Sequence, residues 1–250
     1  MRAIELIINF CTKTDTGKVR RANQDFCGYH VADKYDIAFF VVADGMGGHN
    51  AGEIASSVAV CSFIDAAKDF FDVESHEGLE RFIKHTIKRA NIRVRARAMS
   101  DTRFKGMGTT LVTAAVTDSF VLFANVGDSR AYMIRNGVME QITKDHSYVQ
   151  YLVDQKKISK EEASSHPRKN EITRALGAED DVEIDVFLQN YNKGDCILLC
   201  SDGLTNMISE TQISNIIMDN ASVYEAVDKL IDCANNAGGK DNITVILIRL

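Results

Sequence analysis

The chain has 250 residues, 45% of them hydrophobic and 26% charged, which is enough for a sizeable buried core. Pro167 is the single proline, and this speaks against Pro-rich linkers and modular arrays. A formal net charge of −6 gives no electrostatic basis for binding nucleic acid or anionic membrane, and no apolar run approaches a membrane span.

In chain order, residues 3–12 alternate as a first strand. The N-terminal MRAIELIINF is too short, and too interrupted by Glu5, to read as a signal peptide. DIAFFVVA at 36–43 is a continuous apolar run of buried-strand length, followed by the Gly-rich turn DGMGGHNAGE. Residues 51–71 place Ile54, Val58, Cys61 and Ile64 at helical spacing. Residues 77–99 place Leu79, Ile83, Ile87 and Ile92 on one helical face, with basic residues opposite. TTLVTAAV, FVLFANVG and RAYMIR then read as successive strands. Asn136-Gly137 predicts a tight hairpin after the last of them, because both turn positions need positive φ. Residues 145–180 are polar and helix-like, an excursion on the surface. Strands return at 182–188 and 195–201, helices at 209–219 and 222–236, and a last strand at 243–249. Pairs of long helices between blocks of strands predict an α+β fold, two packed antiparallel sheets with helices outside.

The six cysteines form no CxxC pair. Scattered thiols in an acidic chain point to a reducing, cytoplasmic setting.

Several buried strands run out onto an aspartate beside a small residue. AFFVVA ends at Asp44-Gly45, LFANVG at Asp128-Ser129 and CILLCS at Asp202-Gly203. Asp241-Asn242 stands just before the final strand, and Asp25 closes GKVRRANQD. Any one such pair is ordinary turn chemistry. Taken together, carboxylates converging at strand ends would repel one another and call for a cation. Hard oxygen ligands without HExxH or CxxC spacing suit Mg²⁺ or Mn²⁺ rather than zinc. Arg20, five residues before Asp25, has a guanidinium able to fork onto phosphate oxygens.

The ordered series TDTGKVRRANQD, VVADGMGGHNAGE, GMGTT, VGDSRAY, HPRKNEITRALG, LLCSDGLTNMI and GGKDNITVILI resembles the metal-dependent protein phosphatases of type 2C (PPM) in their compact bacterial form. Each motif alone is weak, but the whole series in this order is specific, and it covers nearly the whole chain. The resemblance implies one catalytic domain over 1–250, a four-layer α-β-β-α sandwich, with a flap at about 145–175 beside the active site.

It further implies hydrolysis of phosphoserine and phosphothreonine in protein substrates, by a water activated between two core ions and without a phosphoenzyme. Asp25, Asp44 and the Gly45 carbonyl map to one side of the ion pair, and Asp202 and Asp241 to the other. Asp128, with Asp202 shared, maps to a third and weaker site. Arg20 maps to the phosphate-binding arginine. His49 is a candidate general acid, although the family's best-known acid directly follows the DG pair, where this chain has Met46. Gln24 replaces a usual glutamate, which predicts modestly weaker metal affinity. A bacterial Ser/Thr kinase is the expected counterpart, and a monomer the expected state. The alternative class is a catalytically inactive phosphoprotein-binding module on the same fold, which loses metal aspartates that this chain keeps. An aspartyl phosphotransferase would need a DxD motif, and Asp44-Gly45-Met46 lacks the second Asp. A small-molecule phosphatase is the remaining alternative.

Overall fold

The computed structural model describes residues 8–48, 50–71 and 75–250. The first sheet is built from β1 (Asn9–Asp15), β7 (Arg130–Arg135), β8 (Val138–Gln141), β10 (Cys196–Cys200) and β11 (Ile243–Arg249), in the order β1-β11-β10-β7-β8. The second takes β2 (Asp25–Ala32), β3 (Ile37–Met46), β5 (Leu111–Val116), β6 (Phe120–Val126) and β9 (Asp185–Asn190) in that order, and the short β4 (Gly108–Thr109) pairs with β3. All the strand pairings are antiparallel.

The layers follow from the period-2 side-chain pattern of strands buried on both faces. In β3, Phe39, Val41 and Ala43 turn outward to α1 (Ala51–Lys68) and α2 (His76–Met99). Ala38, Phe40 and Val42 turn inward to Ile197, Leu199, Ile246 and Ile248 of the opposite sheet. There the alternate residues Leu198, Val245 and Leu247 pack under α6 (Glu210–Asp219) and α7 (Val223–Asn236). The result is the expected helix-sheet-sheet-helix sandwich. Asn136 (φ 52°) and Gly137 (φ 79°) make the predicted hairpin turn between β7 and β8.

Several elements depart from the sequence expectations, and the strand expected at 182–188 is β9, shifted to Asp185–Asn190. Of the predicted first strand, residues 3–7 lie outside the described residues, and the observed strand runs on to Asp15. Strand β2 was not anticipated. In α1 the buried stripe is Ala51, Ala55, Ala59, Val60, Phe63 and Ala67. Ile54, Val58 and Ile64 flank it half-buried, and Cys61 is exposed. Small residues let this helix lie close on β2 and β3. In α2, Ile92 is 61% exposed, because the stripe continues through Ala90 and Val94. Residues 145–180 carry the short helices α3 (Tyr148–Asp154) and α4 (Lys160–Ser164). No helix among the described residues is long and apolar enough to cross a membrane.

Candidate active site

Antiparallel order brings the C-terminal ends of β3, β6 and β10 and the N-terminal ends of β2 and β11 to one end of the sandwich. Each of the five predicted aspartates stands at one of these ends. Asp25 and Asp44 are direct cross-strand partners on β2 and β3. Asp202 opens α5 (Asp202–Thr205), directly after β10 and Ser201. A cleft of about 260 Å³ is lined by Arg20, Asp44, Gly45, Asp128, Asp202 and Asp241, together with Gln24, Met46 and Asn242. Asp25 lies at the same strand ends, only 4% exposed. The structure therefore brings all these predicted residues together. His49 lies outside the described residues.

Backbone and hydroxyl groups hold the carboxylates in place. The Thr110 N–H donates to the Asp44 carbonyl at 2.8 Å, and the Asp44 N–H donates to Thr110 Oγ1 at 2.8 Å. Thr109 Oγ1 adds a second bond to that carbonyl at 2.8 Å. Ser201 Oγ donates to Asp25 Oδ2 at 2.6 Å and thereby ties β10 of one sheet to β2 of the other. Asn206 donates to Asp202 Oδ2 at 2.9 Å. Arg20 Nη2 donates to Asp241 Oδ2 at 2.7 Å. Asn242 accepts from the Gln24 N–H and donates to the Thr16 and Ala22 carbonyls, so it holds the loop that carries Arg20. Sequence reading missed Ser201 and Asn242; the adjacent SDG and DN motifs were the signal that could have found them. Arg130 forks onto Asp145 and also reaches Tyr132, so its role is structural.

Gly45 is required by close approach. A Cβ there would stand 1.9 Å from the Gly52 carbonyl oxygen and 2.7 Å from that of Gln24. Both are backbone atoms, so β3 or the start of α1 must move. We expect Gly45→Ala to cost about 3 kcal/mol of stability and about 10²-fold in turnover, since small misplacements of a reacting group are that costly. Chemical denaturation and initial rates measure the two.

The electrostatics are those of a cluster lacking positive charge. Burial pushes the Asp25 carboxyl up to about 7, against the hydrogen bonds from Ser201 and Thr244, and Asp202 and Asp241 add to the rise. Burial and the neighbouring carboxylates raise Asp44 well above its usual range. Asp128 is pushed up to about 8 by burial, Asp202 and Asp145. Asp202 is raised by burial and Asp241, opposed by a hydrogen bond with Asp44 and by Arg130 and Arg20. Asp25 Oδ1 and Asp202 Oδ1 are buried without a hydrogen-bond partner. A buried carboxylate oxygen in that position is costly unless a cation meets it. The donor set is carboxylate and carbonyl oxygen, which fits a hard divalent ion. Among the described residues no three such groups close tightly on a single point.

Gln24 lines the cleft, with its amide beside Gly52. Gln24→Glu adds a charge to the donor set and is expected to tighten Mn²⁺ binding modestly. An unchanged affinity by calorimetric titration would remove that role for the position.

A second cavity of about 440 Å³ adjoins the cleft through Asp128, Asn170 and Asp202 and runs beneath the 145–175 segment, where Lys160 and Lys169 line it.

The protein phosphatase 2C family model matches residues 17–247. The chain is 45% identical over 237 residues to the serine/threonine phosphatase Stp of Listeria innocua, covering 94% of this chain and 93% of that one. Among solved structures, serine/threonine phosphatase Stp1 of Staphylococcus aureus superposes with a TM-score of 0.91 at 36% identity, covering 100% of this chain and 98% of that one. The catalytic domain of the serine/threonine phosphatase PstP, solved in complex with two manganese ions, superposes with a TM-score of 0.83 at 32% identity over 97% of each chain.

Proposed function

The chain belongs to the protein phosphatase 2C family, and from that membership we propose that it is a metal-dependent phosphatase acting on phosphoserine and phosphothreonine in other proteins. The observation that carries the reading is the convergence of Asp44, Asp128, Asp202, Asp241 and Arg20 on one cleft, with Asp25 alongside. In this proposal Asp25, Asp44 and the Gly45 carbonyl hold one side of a two-ion centre, Asp202 and Asp241 the other, and Asp128 with Asp202 a weaker third site. Two bound Mn²⁺ or Mg²⁺ ions would supply a water acidic enough to attack phosphorus near neutral pH.

The chain's own residues do the rest. Arg20 uses one N–H on Asp241, which leaves donors for a phosphoryl oxygen, where charge develops in the transition state. Asn206 orients Asp202, and the Thr109 and Thr110 hydroxyls fix the strand end that carries Asp44 and Gly45. The leaving serine or threonine oxygen takes up a proton as its bond to phosphorus breaks, and His49 is the candidate donor. The 145–175 segment acts as a flap, and the cavity beneath it accommodates residues flanking the phosphorylated side chain. A cytoplasmic monomer opposing a bacterial Ser/Thr kinase completes the proposal.

The test is phosphate release from a phosphothreonine peptide, with ATP and a sugar phosphate as comparison substrates, in Mn²⁺, in Mg²⁺ and in EDTA. Metal-dependent turnover that favours the peptide supports the reading. A folded protein inert with either ion would instead support the inactive phosphoprotein-binding module.

A further inference from the structure

His146 has no part in the reaction above, yet it is only 8% exposed and occupies a junction. Its backbone N–H donates to the Gly127 carbonyl at 2.9 Å, and the Gly127 N–H donates to its ring Nδ1 at 3.0 Å. Its carbonyl accepts the Thr173 N–H at 2.8 Å, at the far root of the 145–175 segment. A bridge between Ser147 and Ile172 closes the neck beside it. Asn125 Nδ2 adds a bond to the Gly127 carbonyl at 3.1 Å.

Gly127 immediately precedes Asp128. Its φ of 109° and the 2.6 Å that a Cβ would leave to Thr110 exclude a side chain there, so backbone hydrogen bonds must set its position. An Nδ1 that accepts an N–H carries no proton, so the neutral ring has its proton on Nε2. Asp185 Oδ2 lies 3.2 Å from Nε2, and Arg174 Nη1, 2.9 Å from the same nitrogen, donates to Asp185 Oδ1 at 2.8 Å. Burial holds the ring below its ordinary pKa, in keeping with an acceptor.

We infer that His146 is a positioning residue whose ring and backbone clamp the Gly127–Asp128 loop to both roots of the 145–175 segment, so that the placement of Asp128 and the seating of that segment depend on each other. The effect on ion binding rests on the reading of Asp128 as a ligand; the clamp does not.

Two substitutions separate the ring's functions. In His146→Asn, Oδ1 stands where Nδ1 stood and still accepts the Gly127 N–H. In His146→Gln the amide reaches the Nε2 position and leaves Nδ1 unreplaced. Three readouts apply: hydrogen exchange at the Gly127 amide, limited proteolysis within 155–170, and calorimetric Mn²⁺ titration. In His146→Gln we expect Gly127 exchange and cleavage of the segment to accelerate about tenfold, and the weakest Mn²⁺ site to weaken by a similar factor, as happens when a group that holds a metal ligand in place is lost. His146→Asn should recover most of the Gly127 protection and of the Mn²⁺ affinity. Wild-type exchange at Gly127 in His146→Gln would overturn the inference, as would an Asn variant no better than Gln. Asp128→Ala serves as the control for the ligand reading. If it leaves every Mn²⁺ site intact, Asp128 is not a ligand, and Gly127 exchange alone decides the clamp.

Discussion

Asp202→Asn is expected to lower kcat by at least about 10³-fold while leaving the protein folded. The Asn oxygen can still accept the hydrogen bond that Asn206 donates to Asp202 Oδ2. What disappears is a negative charge in the middle of the cluster, which in the proposed centre serves both the core pair and the Asp128 side. The discriminating readout is stability in EDTA at about pH 8. There the variant should melt at or above the wild-type Tm, because one of several mutually repelling carboxylates is gone. Loss of activity together with a lowered Tm would instead mean that Asp202 is a structural residue, and would remove it from the proposed centre.

The second large effect is on the metal-free protein as pH changes. Below about pH 4 the clustered carboxyls are protonated in both folded and unfolded chains and contribute no pH dependence. Above that the unfolded chain releases its protons, whereas the folded chain keeps Asp25 protonated to about 7 and Asp128 to about 8. The folded state then binds more protons, so stability falls as pH rises across this window. Beyond about pH 8 Asp25 and Asp128 are charged in both states and their share of the loss levels off. Each unit of upward shift corresponds to about 1.4 kcal/mol, which for this chain amounts to a Tm drop on the order of 10 °C between about pH 5 and pH 8 in EDTA. Saturating Mn²⁺ should abolish or reverse the trend, because ion binding favours the ionised, folded form. Scanning calorimetry at several pH values with and without Mn²⁺ measures this. A flat Tm in EDTA would mean that burial and the neighbouring carboxylates do not hold Asp25 and Asp128 protonated.

The strand-end aspartates could be found from sequence because a strand buried on both faces must be continuously apolar. AFFVVA and CILLC therefore stand out, and so does the first charged residue after each. Strand β2 could not be found that way. DFCGYHVA is an edge strand of mostly intermediate burial, so its composition carries no clear alternation. Its Gly28 marks the approach of α1 instead, where a Cβ would come within 2.9 Å of Val60 Cγ1. The α1 stripe is not legible from the large apolar residues, because the face that touches the sheet is built mostly of alanines. Ser201, Asn242 and His146 work through partners far away in the chain, or on a loop the sequence leaves conformationally open. Spacing along the chain holds no record of such partners.

Asp25 and Asp44 stand on one sheet, Asp202 and Asp241 beside strand ends of the other, and Asp128 on the loop that crosses between the sheets from β6 to β7. The two groups are aligned by polar bonds between the sheets, Ser201 to Asp25 and the Gln24 N–H to Asn242, and by the apolar layer in which Phe40, Val42, Leu199 and Ile246 interdigitate. Sliding one sheet past the other by a single residue, roughly 3.3 Å, would carry half the carboxylates out of reach of the rest. An ion gripped from both sides would act as a rivet through two plates. It would resist shear at one end of the sandwich, so the loaded protein should be mechanically stiffer than the metal-free one at the end where it does its chemistry.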